Sequence, residues 1–591
     1  MKLSPIATLL LSALTVGCSQ EKNETTNALQ KIQLVEQGRY QSGIFDQSAA
    51  EIVTFDKAAK QTFVVNAQSG QVDILSNKNI KQPTLVDSLN VAADIKRYLG
   101  ASAGNVNSVS AHNGLLAVAI GANVKTDLGW VAFYRISDFK FLEAKVVGAL
   151  PDMVTFTPNG KQVVVAIEAE PSDKNYAVDP EGEVAIFDIN WNGQNLRSQL
   201  TRLNFRDFNQ GGSRYSELPT QLVRNGFQAT IAQDLEPEYI AINDAGDQAY
   251  VALQENNAVA VIDLRTKKID RIMALGFKDH SQVGNEFDGN NKDKKAAIKT
   301  EPALGMYQPD SIASIKINNS DYLITANEGD DRSDWISHLN QQACESGNFY
   351  YNFEDNKCAD DITLKDALDS DVYNPSNHSA KLNLSHFTQG GKLENTVNRV
   401  KFSHSASLAF GDQNGDGKLD KMLTFGGRSF SIWDMEKGKM VFDSGSDFEQ
   451  ITAEKYGKHF NQSNTKLKGE DRSDNKGPEP EAITVAKING LSYAFIGLER
   501  MGGIMVYDIT EPSHAKFIQY INNRNMKINP ADNIDSNGDG IKEYKIDAGD
   551  LGPEGFKFVA AKDSPNHKPL LIVGSEVSGT TTYYNIMVYS K

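Results

Sequence analysis

Pairs of carboxylates recur along this chain in a constant context. A proline followed by an acid opens a short apolar run five times, and a second acid ends the next apolar run 16 to 22 residues later. The first acids are Asp152, Glu238, Asp310, Glu481 and Glu554, and the second are Glu168, Glu255, Glu328, Glu499 and Glu576. If these positions converge, protons, cations or basic side chains must neutralise them. The alternative is that each acid only caps a turn of its own repeat by accepting backbone N–H bonds.

A second pattern places oxygen-bearing side chains alternately around a glycine. It is formed by Asp412, Asn414, Asp416, Gly417 and Asp420, and again by Asp535, Asn537, Asp539, Gly540 and Glu543. Such loops supply the oxygen-rich shell that Ca²⁺ prefers. Position twelve of an EF-hand is occupied by Leu423 and Ile546, so both loops resemble instead the nine-residue calcium loops of integrin-type propellers. We expect structural Ca²⁺ in both, with a solvated turn as the alternative.

Arginines stand near the recurring acids in the sequence. Arg332, Arg428 and Arg472 lie within a few residues of acidic or glycine-rich segments, and Arg500 follows Glu499 directly. Because Arg binds phosphate bidentately, Arg and a metal ion on one face would suit an anionic phosphoester. Ion pairs between repeats are the alternative.

Sequence motifs of other catalytic machinery are missing. The chain contains no nucleophile elbow, P-loop, H-E-x-x-H helix or dinucleotide fingerprint. Any hydrolysis would therefore depend on a metal ion. We predict a catalytic set of Glu481 and Glu554 with Arg332, Arg428 and Arg472, and Ca²⁺ as the cofactor.

The elements that must position these residues are short strands in repeated units. From Pro237 and again from Pro480, three β-rich runs follow one another between Gly, Asn or Asp turns, which is typical of consecutive antiparallel strands. Such units repeated around a circle make a β-propeller. Weaker units beginning at Glu51, Val109 and Ser407 bring the count to eight. We predict an all-β propeller with eight blades, or alternatively seven, in which residues 32–40 complete the last blade.

Length and charge restrict the class of protein. A chain of 591 residues is too long for one ordinary compact domain, but a repeat architecture removes this difficulty. The net charge of −16 argues against nucleic acid or an anionic membrane surface as the main partner. We expect residues 31–591 to form one propeller domain. Its insertions are predicted near residues 190–235, 276–308, 330–400, 440–478 and 511–552.

The N-terminus predicts export and lipid attachment. Residues 6–16 are mostly apolar but too short to span a bilayer, and Gly17 precedes Cys18. We therefore predict a lipoprotein signal peptide over residues 1–18, a lipid on Cys18 and a polar tether over residues 19–30. Ser19 favours the outer membrane, and a plain secretory signal is the alternative. In an oxidising compartment, Cys344 and Cys358 are most simply a local disulfide.

Several segments from residue 277 onward resemble the bacterial choice-of-anchor I family of extracytoplasmic propellers. They are FKDH at 277–280, QPDSIAS at 308–314, ANEGDDRSDW at 326–335, GDQNGDGKLDKMLTFGGRSFSIWD at 411–434, RSDNKGPEPEAITV at 472–485 and GLERMGGIMVYDI at 497–509. The resemblance implies a propeller attached to the cell surface. Related propellers include atypical alkaline phosphatases and phytase-like esterases, whose acidic turns are similar to residues 550–555. The cysteine-ligated iron of such phosphatases is not expected, because neither cysteine stands in a channel-lining strand.

Two functions follow from these observations. The first is a calcium-dependent phosphoesterase of the cell envelope, acting on a small anionic phosphoester at an acidic channel mouth. The second is a non-catalytic surface module that binds another ligand while calcium stiffens its loops. The sequence leaves the substrate and the oligomeric state open, and it predicts membrane contact through the lipid alone.

Overall fold

Short antiparallel strands make up most of the fold. The computed structural model describes residues 30–173, 176–369, 381–383, 385–389, 392–393, 399–530 and 546–590. Within these residues, seven four-stranded antiparallel sheets repeat one after another along the chain. Each sheet is a blade of a propeller.

The blades are built from consecutive strands, with two exceptions in blades 5 and 7. Blade 1 consists of Val53–Asp56, Gln61–Asn66, Gln71–Ser76 and Thr84–Leu89. Blade 2 consists of Ala103–His112, Leu115–Ala122, Leu128–Arg135 and Lys140–Ala149. Blade 3 consists of Pro151–Phe156, Gln162–Ile167, Glu183–Trp191 and Leu196–Asn204. Blades 4 and 5 consist of Pro237–Ile242, Gln248–Leu253, Ala258–Asp263 and Lys268–Ala274; and Ile312–Ile317, Ser320–Ala326, Phe430–Asp434 and Lys439–Asp443. Blades 6 and 7 consist of Pro480–Ile488, Leu491–Leu498, Ile504–Asp508 and Lys516–Ile521; and Pro553–Val559, Leu570–Ser575, Thr580–Ser590 and Gln30–Gln41.

The blades form a closed ring. The first strand of each blade contacts the first strand of the next, and that of blade 7 contacts that of blade 1. The first strands therefore lie innermost and surround the central channel. The strand Gln30–Gln41 pairs antiparallel with Thr580–Ser590, so the N-terminal segment completes the last blade, as predicted.

The propeller prediction is confirmed, with the alternative count of seven blades rather than eight. The unit beginning at Ser407 is not a blade. Its strand Phe430–Asp434 pairs with Ser320–Ala326 and is the third strand of blade 5. Its strand Met422–Thr424 belongs to a sheet outside the ring. Residues 327–429 are inserted between two strands of one blade, and strand rhythm alone does not reveal which strands pair.

The sheet outside the ring, here called the insertion sheet, draws its strands from two insertions. Its five strands, in spatial order, are Phe277–Asp279, Ala303–Met306, Met422–Thr424, Lys401–Ser403 and Asp361–Thr363. Three two-stranded sheets are Tyr350–Asn352 with Lys357–Ala359, Lys381–Leu382 with Lys418–Leu419, and Thr388–Gln389 with Lys392–Leu393.

Helices in the described residues are short and lie between strands. The α-helices are Val91–Leu99, Ile231–Asp234, Ser333–Ile336, Gln341–Ser346, Leu364–Asp369, His404–Phe410 and Asp447–Tyr456. The 3₁₀ helices are Arg206–Phe208, Tyr215–Glu217, Gly457–His459, Pro512–His514 and Ile546–Ala548. Cys344 and Cys358 form the predicted disulfide, which joins a helix to a strand of the insertion. No helix of the described part of the chain is long and apolar enough to cross a membrane.

Blade packing explains the apolar character of the strands. In the strand Leu115–Ala122, Leu116 and Val118 pack against blade 1, whereas Leu115 and Ala117 pack against blade 3. Successive side chains of a strand point to opposite faces of a sheet. Both faces of a blade are therefore buried by its neighbours, which requires continuous apolar runs and leaves polar side chains at the strand ends.

Candidate functional site

An irregularity at the start of the innermost strands positions the proline-linked acids. In blades 3, 6 and 7 the proline pairs with the last residue of the second strand, and the register shifts before pairing resumes. Proline is tolerated at the first position of a strand, and a bulge redirects the side chains beside it. Glu168, Glu499 and Glu576 directly follow the residues paired with proline. The two acids of each blade consequently lie at the same end of the channel.

A cavity of about 470 Å³ occupies this channel mouth. Its wall contains eight carboxylates against two cationic side chains, an excess of six negative charges if every group is ionised. The carboxylates are those of Glu51, Asp152, Asp310, Glu328, Asp330, Glu481, Glu499 and Glu554, and the cations are Lys476 and Arg500. We call this cavity the acidic mouth.

The structure brings most of the predicted channel acids together. Asp152, Asp310, Glu328, Glu481, Glu499 and Glu554 all line the acidic mouth. Glu238 is buried, and its pKa is raised first by burial and then by the charges of Glu255, Glu168 and Asp310. Glu576 joins Glu51 and Glu554 in one cluster.

Apart from Arg500, three charged residues of the acidic mouth were not among the predicted site residues. Glu51 begins blade 1 where other blades have the proline-linked acid, but it has no proline before it. Asp330 follows Glu328 by two residues, and Lys476 precedes Pro480 by four. Their closeness in sequence to recurring acids was the available signal.

Among the described residues, three groups of three carboxylates bring ligand oxygens within 4.8 Å of one another. They are Glu51, Glu554 and Glu576; Asp310, Glu328 and Glu481; and Glu328, Glu479 and Glu499. Oxygens bound to one Ca²⁺ at about 2.3–2.6 Å lie within about 5 Å of each other, so each group has a suitable spacing. The cationic side chains near each group distinguish the three groups.

The third group is already neutralised by protein cations. Arg472 Nε lies 2.6 Å from Glu479 Oε1, and Arg500 Nε lies 3.0 Å from Glu479 Oε2. Lys476 Nζ lies 3.6 Å from Glu479 Oε2 and 2.7 Å from Glu328 Oε1. Burial alone would raise the pKa of Glu479, but these three cations lower it to about 2. In the second group only Glu328 has such a partner, Lys476, and no ion pair to the first group is found among the described residues, so these two groups are the candidates for a bound cation.

Burial and mutual repulsion raise the pKa values of the remaining acids. Burial, followed by the charge of Glu576, raises the pKa of Glu51 to about 8. Burial, followed by neighbouring acids, also raises the pKa values of Glu481 and Glu554 well above the usual range. The Oε2 atoms of Glu481 and Glu554 are buried without a hydrogen-bond partner in the described structure. Carboxylates in this environment either keep a proton or bind a cation.

All three predicted phosphate-binding arginines lie outside the lining of the acidic mouth. Arg332 is 1% exposed, and its Nη1 lies 2.8 Å from Asp234 Oδ1 while its Nη2 lies 3.2 Å from Glu236 Oε2. Arg428 donates to Glu449 Oε1 at 2.6 Å and lies over the ring of Phe287. Both placements favour the ion-pair alternative. Arg472 contacts the site only through Glu479.

The first predicted calcium loop lies in the insertion and is largely exposed. Asp412 accepts backbone N–H bonds from Gly417 at 2.8 Å and Gly415 at 2.7 Å, and these bonds lower its pKa. Asn414 donates its side-chain amide to Asp420 at 3.0 Å. These are the contacts of an Asn/Gly-rich turn, and Ca²⁺ binding here stays a prediction. The second loop, at 535–543, and the predicted anchor Cys18 lie outside the described residues.

Comparison with known protein families identifies the family of this propeller. The model of the choice-of-anchor I domain matches residues 51–512, from the start of blade 1 into blade 6. This chain belongs to the choice-of-anchor I domain family. The family indicates an extracellular or cell-surface protein, in agreement with the resemblance found in the sequence.

Relatives of this choice-of-anchor I domain protein include two curated proteins. Gigasin-3a of Magallana gigas is 30% identical over 182 residues, which are 29% of this chain and 60% of that protein. The mesenchyme-specific cell surface glycoprotein of Strongylocentrotus purpuratus is 24% identical over 343 residues, which are 54% of this chain and 41% of that protein. The chain thus spans about half the length of the curated relatives it matches.

One solved propeller structure is also similar to this chain. The WD40 domain of Toxoplasma gondii coronin aligns with 95% of this chain and 87% of its own, with 8% identity and a TM-score of 0.42.

Proposed function

We propose that this choice-of-anchor I domain protein is a cell-surface propeller that binds Ca²⁺ in its acidic mouth and hydrolyses phosphoesters there. The observation that carries the proposal is the convergence of Asp310, Glu328 and Glu481 from adjacent blades. One oxygen of Glu481 is buried without a partner in the described residues. Ca²⁺ takes carboxylate oxygens as ligands and would remove the repulsion among these acids.

Residues of the acidic mouth have suitable roles for this chemistry. A divalent cation would supply an activated water and neutralise phosphate oxygens. Lys476, beside Glu328, presents a further positive charge to an anionic substrate. Burial, followed by the charge of Glu170, raises the pKa of Asp152 to about 7, which suits a group that gives or takes a proton at neutral pH.

A second candidate function is a non-catalytic surface module with structural Ca²⁺. The placement of Arg332 and Arg428 in buried ion pairs favours it, because a phosphoesterase would then depend on Lys476 and Arg500 for its positive charge. In both functions we propose that a lipid on Cys18 attaches the protein to the outer membrane.

Hydrolysis of p-nitrophenyl phosphate and bis-p-nitrophenyl phosphate distinguishes the two functions. The soluble chain 19–591 is assayed at neutral and alkaline pH, with Ca²⁺ or with EGTA. The variant Glu481→Gln removes one charge from the candidate ligand group, and Glu454→Gln is the matched control on an exposed helix position.

Turnover that requires Ca²⁺, disappears in Glu481→Gln and persists in Glu454→Gln is the result expected of the enzyme. Absence of turnover together with a Ca²⁺-dependent rise in Tm supports the binding module. If Ca²⁺ changes neither activity nor Tm, the channel does not bind it and both functions are rejected.

A further inference from the structure

The innermost strands carry acids at one end and basic residues toward the other. Glu51, Glu481 and Glu554 lie at or just before the first residues of their strands. Lys57 follows the last residue of the innermost strand of blade 1, and Lys557 lies in the second half of the innermost strand of blade 7. These acids and the two lysines therefore lie toward opposite ends of the channel.

A second cavity of about 170 Å³ lies at the basic end, between blades 1, 2 and 7. Its wall includes Lys57, His112 and Lys557 together with the rings of Phe55 and Phe558. We call it the basic cavity. The two rings supply an apolar part of its wall, and polar and charged groups form the larger part.

Lys557 is the ammonium group that the surrounding protein does not pair. Among the described residues no hydrogen bond or ion pair to it is found, and burial alone lowers its pKa. A partly buried charge without a counter-charge or hydrogen bond is unfavourable. An anion entering the basic cavity would supply both.

The acids in the wall of the basic cavity have partners other than Lys557. Asp56 accepts three backbone N–H bonds at 2.8 to 3.1 Å. Asp563 lies 4.0 Å from Lys57 Nζ, at the edge of ion-pair distance. Neither contacts Lys557, so the protein leaves that charge available.

His112 shows that the basic groups face the same space. Burial lowers its pKa first, and the charges of Lys57 and Lys557 lower it further, outweighing Asp56. Its Nε2 lies 2.9 Å from the side-chain amide of Asn113. In the neutral tautomer that carries its proton on Nδ1, His112 Nε2 accepts a hydrogen bond from this amide. A neutral His112 can then offer its other ring nitrogen as a donor.

We propose that the basic cavity binds a small oxyanion of the phosphate type, held by the ammonium groups of Lys557 and Lys57. Charge-assisted hydrogen bonds from lysine suit the oxygens of such an anion. The site is separate from the acidic mouth, because it contains none of the carboxylates of the candidate metal groups. It therefore does not rest on the proposed enzymatic function.

Calorimetric titration with inorganic phosphate tests the proposal. The soluble chain 19–591 is kept in EGTA at neutral pH and constant ionic strength, so that no channel cation contributes. We expect saturable one-to-one binding. Lys557→Gln should weaken it by about tenfold or more, since it removes a charged hydrogen-bond donor, and Lys57→Gln should weaken it less, because that side chain is 57% exposed.

The control variant is Lys562→Gln, an exposed lysine five residues farther along the chain. It should bind phosphate as the parent does. Absence of saturable binding in the parent, or equal affinity in the parent and Lys557→Gln, overturns the proposal. If Lys557→Gln fails to fold, two other results overturn the proposal. One is an unchanged phosphate affinity in Lys57→Gln. The other is an equal Tm of the parent protein in phosphate and in chloride at the same ionic strength.

Discussion

At the scale of single residues, two glutamates two positions apart have opposite environments. Glu479 is 0% exposed and contacts Arg472, Lys476 and Arg500, and its pKa falls to about 2. Glu481 contacts none of these cations, keeps an unpartnered oxygen and has a raised pKa. The first is a structural ion pair, and the second is a candidate ligand.

Replacing Glu479 by Gln should destabilise the protein strongly. The change leaves three cations without their shared counter-charge, and removing one partner of a buried ion pair costs about 3–5 kcal/mol. Urea unfolding at neutral pH measures the free energy, with Glu454→Gln as the exposed control. A loss below about 1 kcal/mol, the range of surface pairs, would contradict the assigned role.

Replacing Glu481 by Gln should have the opposite effect on the metal-free protein. Because the change removes one of several repelling carboxylates, the Tm in EGTA should stay equal or rise. The increase of Tm caused by Ca²⁺ should disappear, since a ligand is lost. Thermal unfolding with and without Ca²⁺ measures both effects, and a retained Ca²⁺ response would show that the ion binds elsewhere.

At the scale of elements, the insertion sheet depends on a buried neutral histidine. His280 follows the strand Phe277–Asp279, is 1% exposed and donates from Nδ1 to the carbonyl oxygen of Asn285 at 2.7 Å. Burial, and then the charge of Lys278, lowers its pKa to about 3. The nearby charges of Arg428 and Asp279 act in opposite directions and do not reverse this shift.

Acid should therefore weaken this region as the pH falls below about 6.5. A histidine with a depressed pKa stabilises the fold above its unfolded pKa of about 6.5, and this contribution is lost as the pH falls toward 3. At about pH 5 the expected loss is about 2 kcal/mol. Urea unfolding at neutral pH and at about pH 5 should show a smaller loss in His280→Gln than in the parent. Equal losses would mean that His280 does not titrate in this range.

At the scale of the whole molecule, ring closure depends on a segment distant in sequence. The strand Gln30–Gln41 forms the fourth strand of blade 7, and Leu34 N–H also donates to Gln519 of blade 6 at 2.9 Å. The N-terminal strand therefore connects two blades and covers the edge of Thr580–Ser590.

Deletion of residues 1–41 should open the ring. The exposed strand edge would favour aggregation, and we expect Tm to fall by about 5 °C or more. The control lacks only residues 1–29 and should keep the Tm of the chain 19–591. Thermal unfolding and size-exclusion chromatography test this, and an unchanged Tm in the shorter chain would show that closure adds little stability.

The sequence by itself determined the repeated strands and the propeller class, and it identified the recurring acids while leaving open whether they meet. These features are encoded locally, because four of the five proline-acid pairs start an innermost strand and the fifth, Pro309-Asp310, lies just before one. Only the tertiary structure decided the number of blades, since residues 327–429 separate two paired strands of blade 5. It also decided which cations reach the acids. Arg332 pairs with Asp234, which is 98 residues away, whereas Lys476 reaches Glu328 across 148 residues. Such contacts depend on how the insertions pack over the ring, and no local spacing specifies that packing.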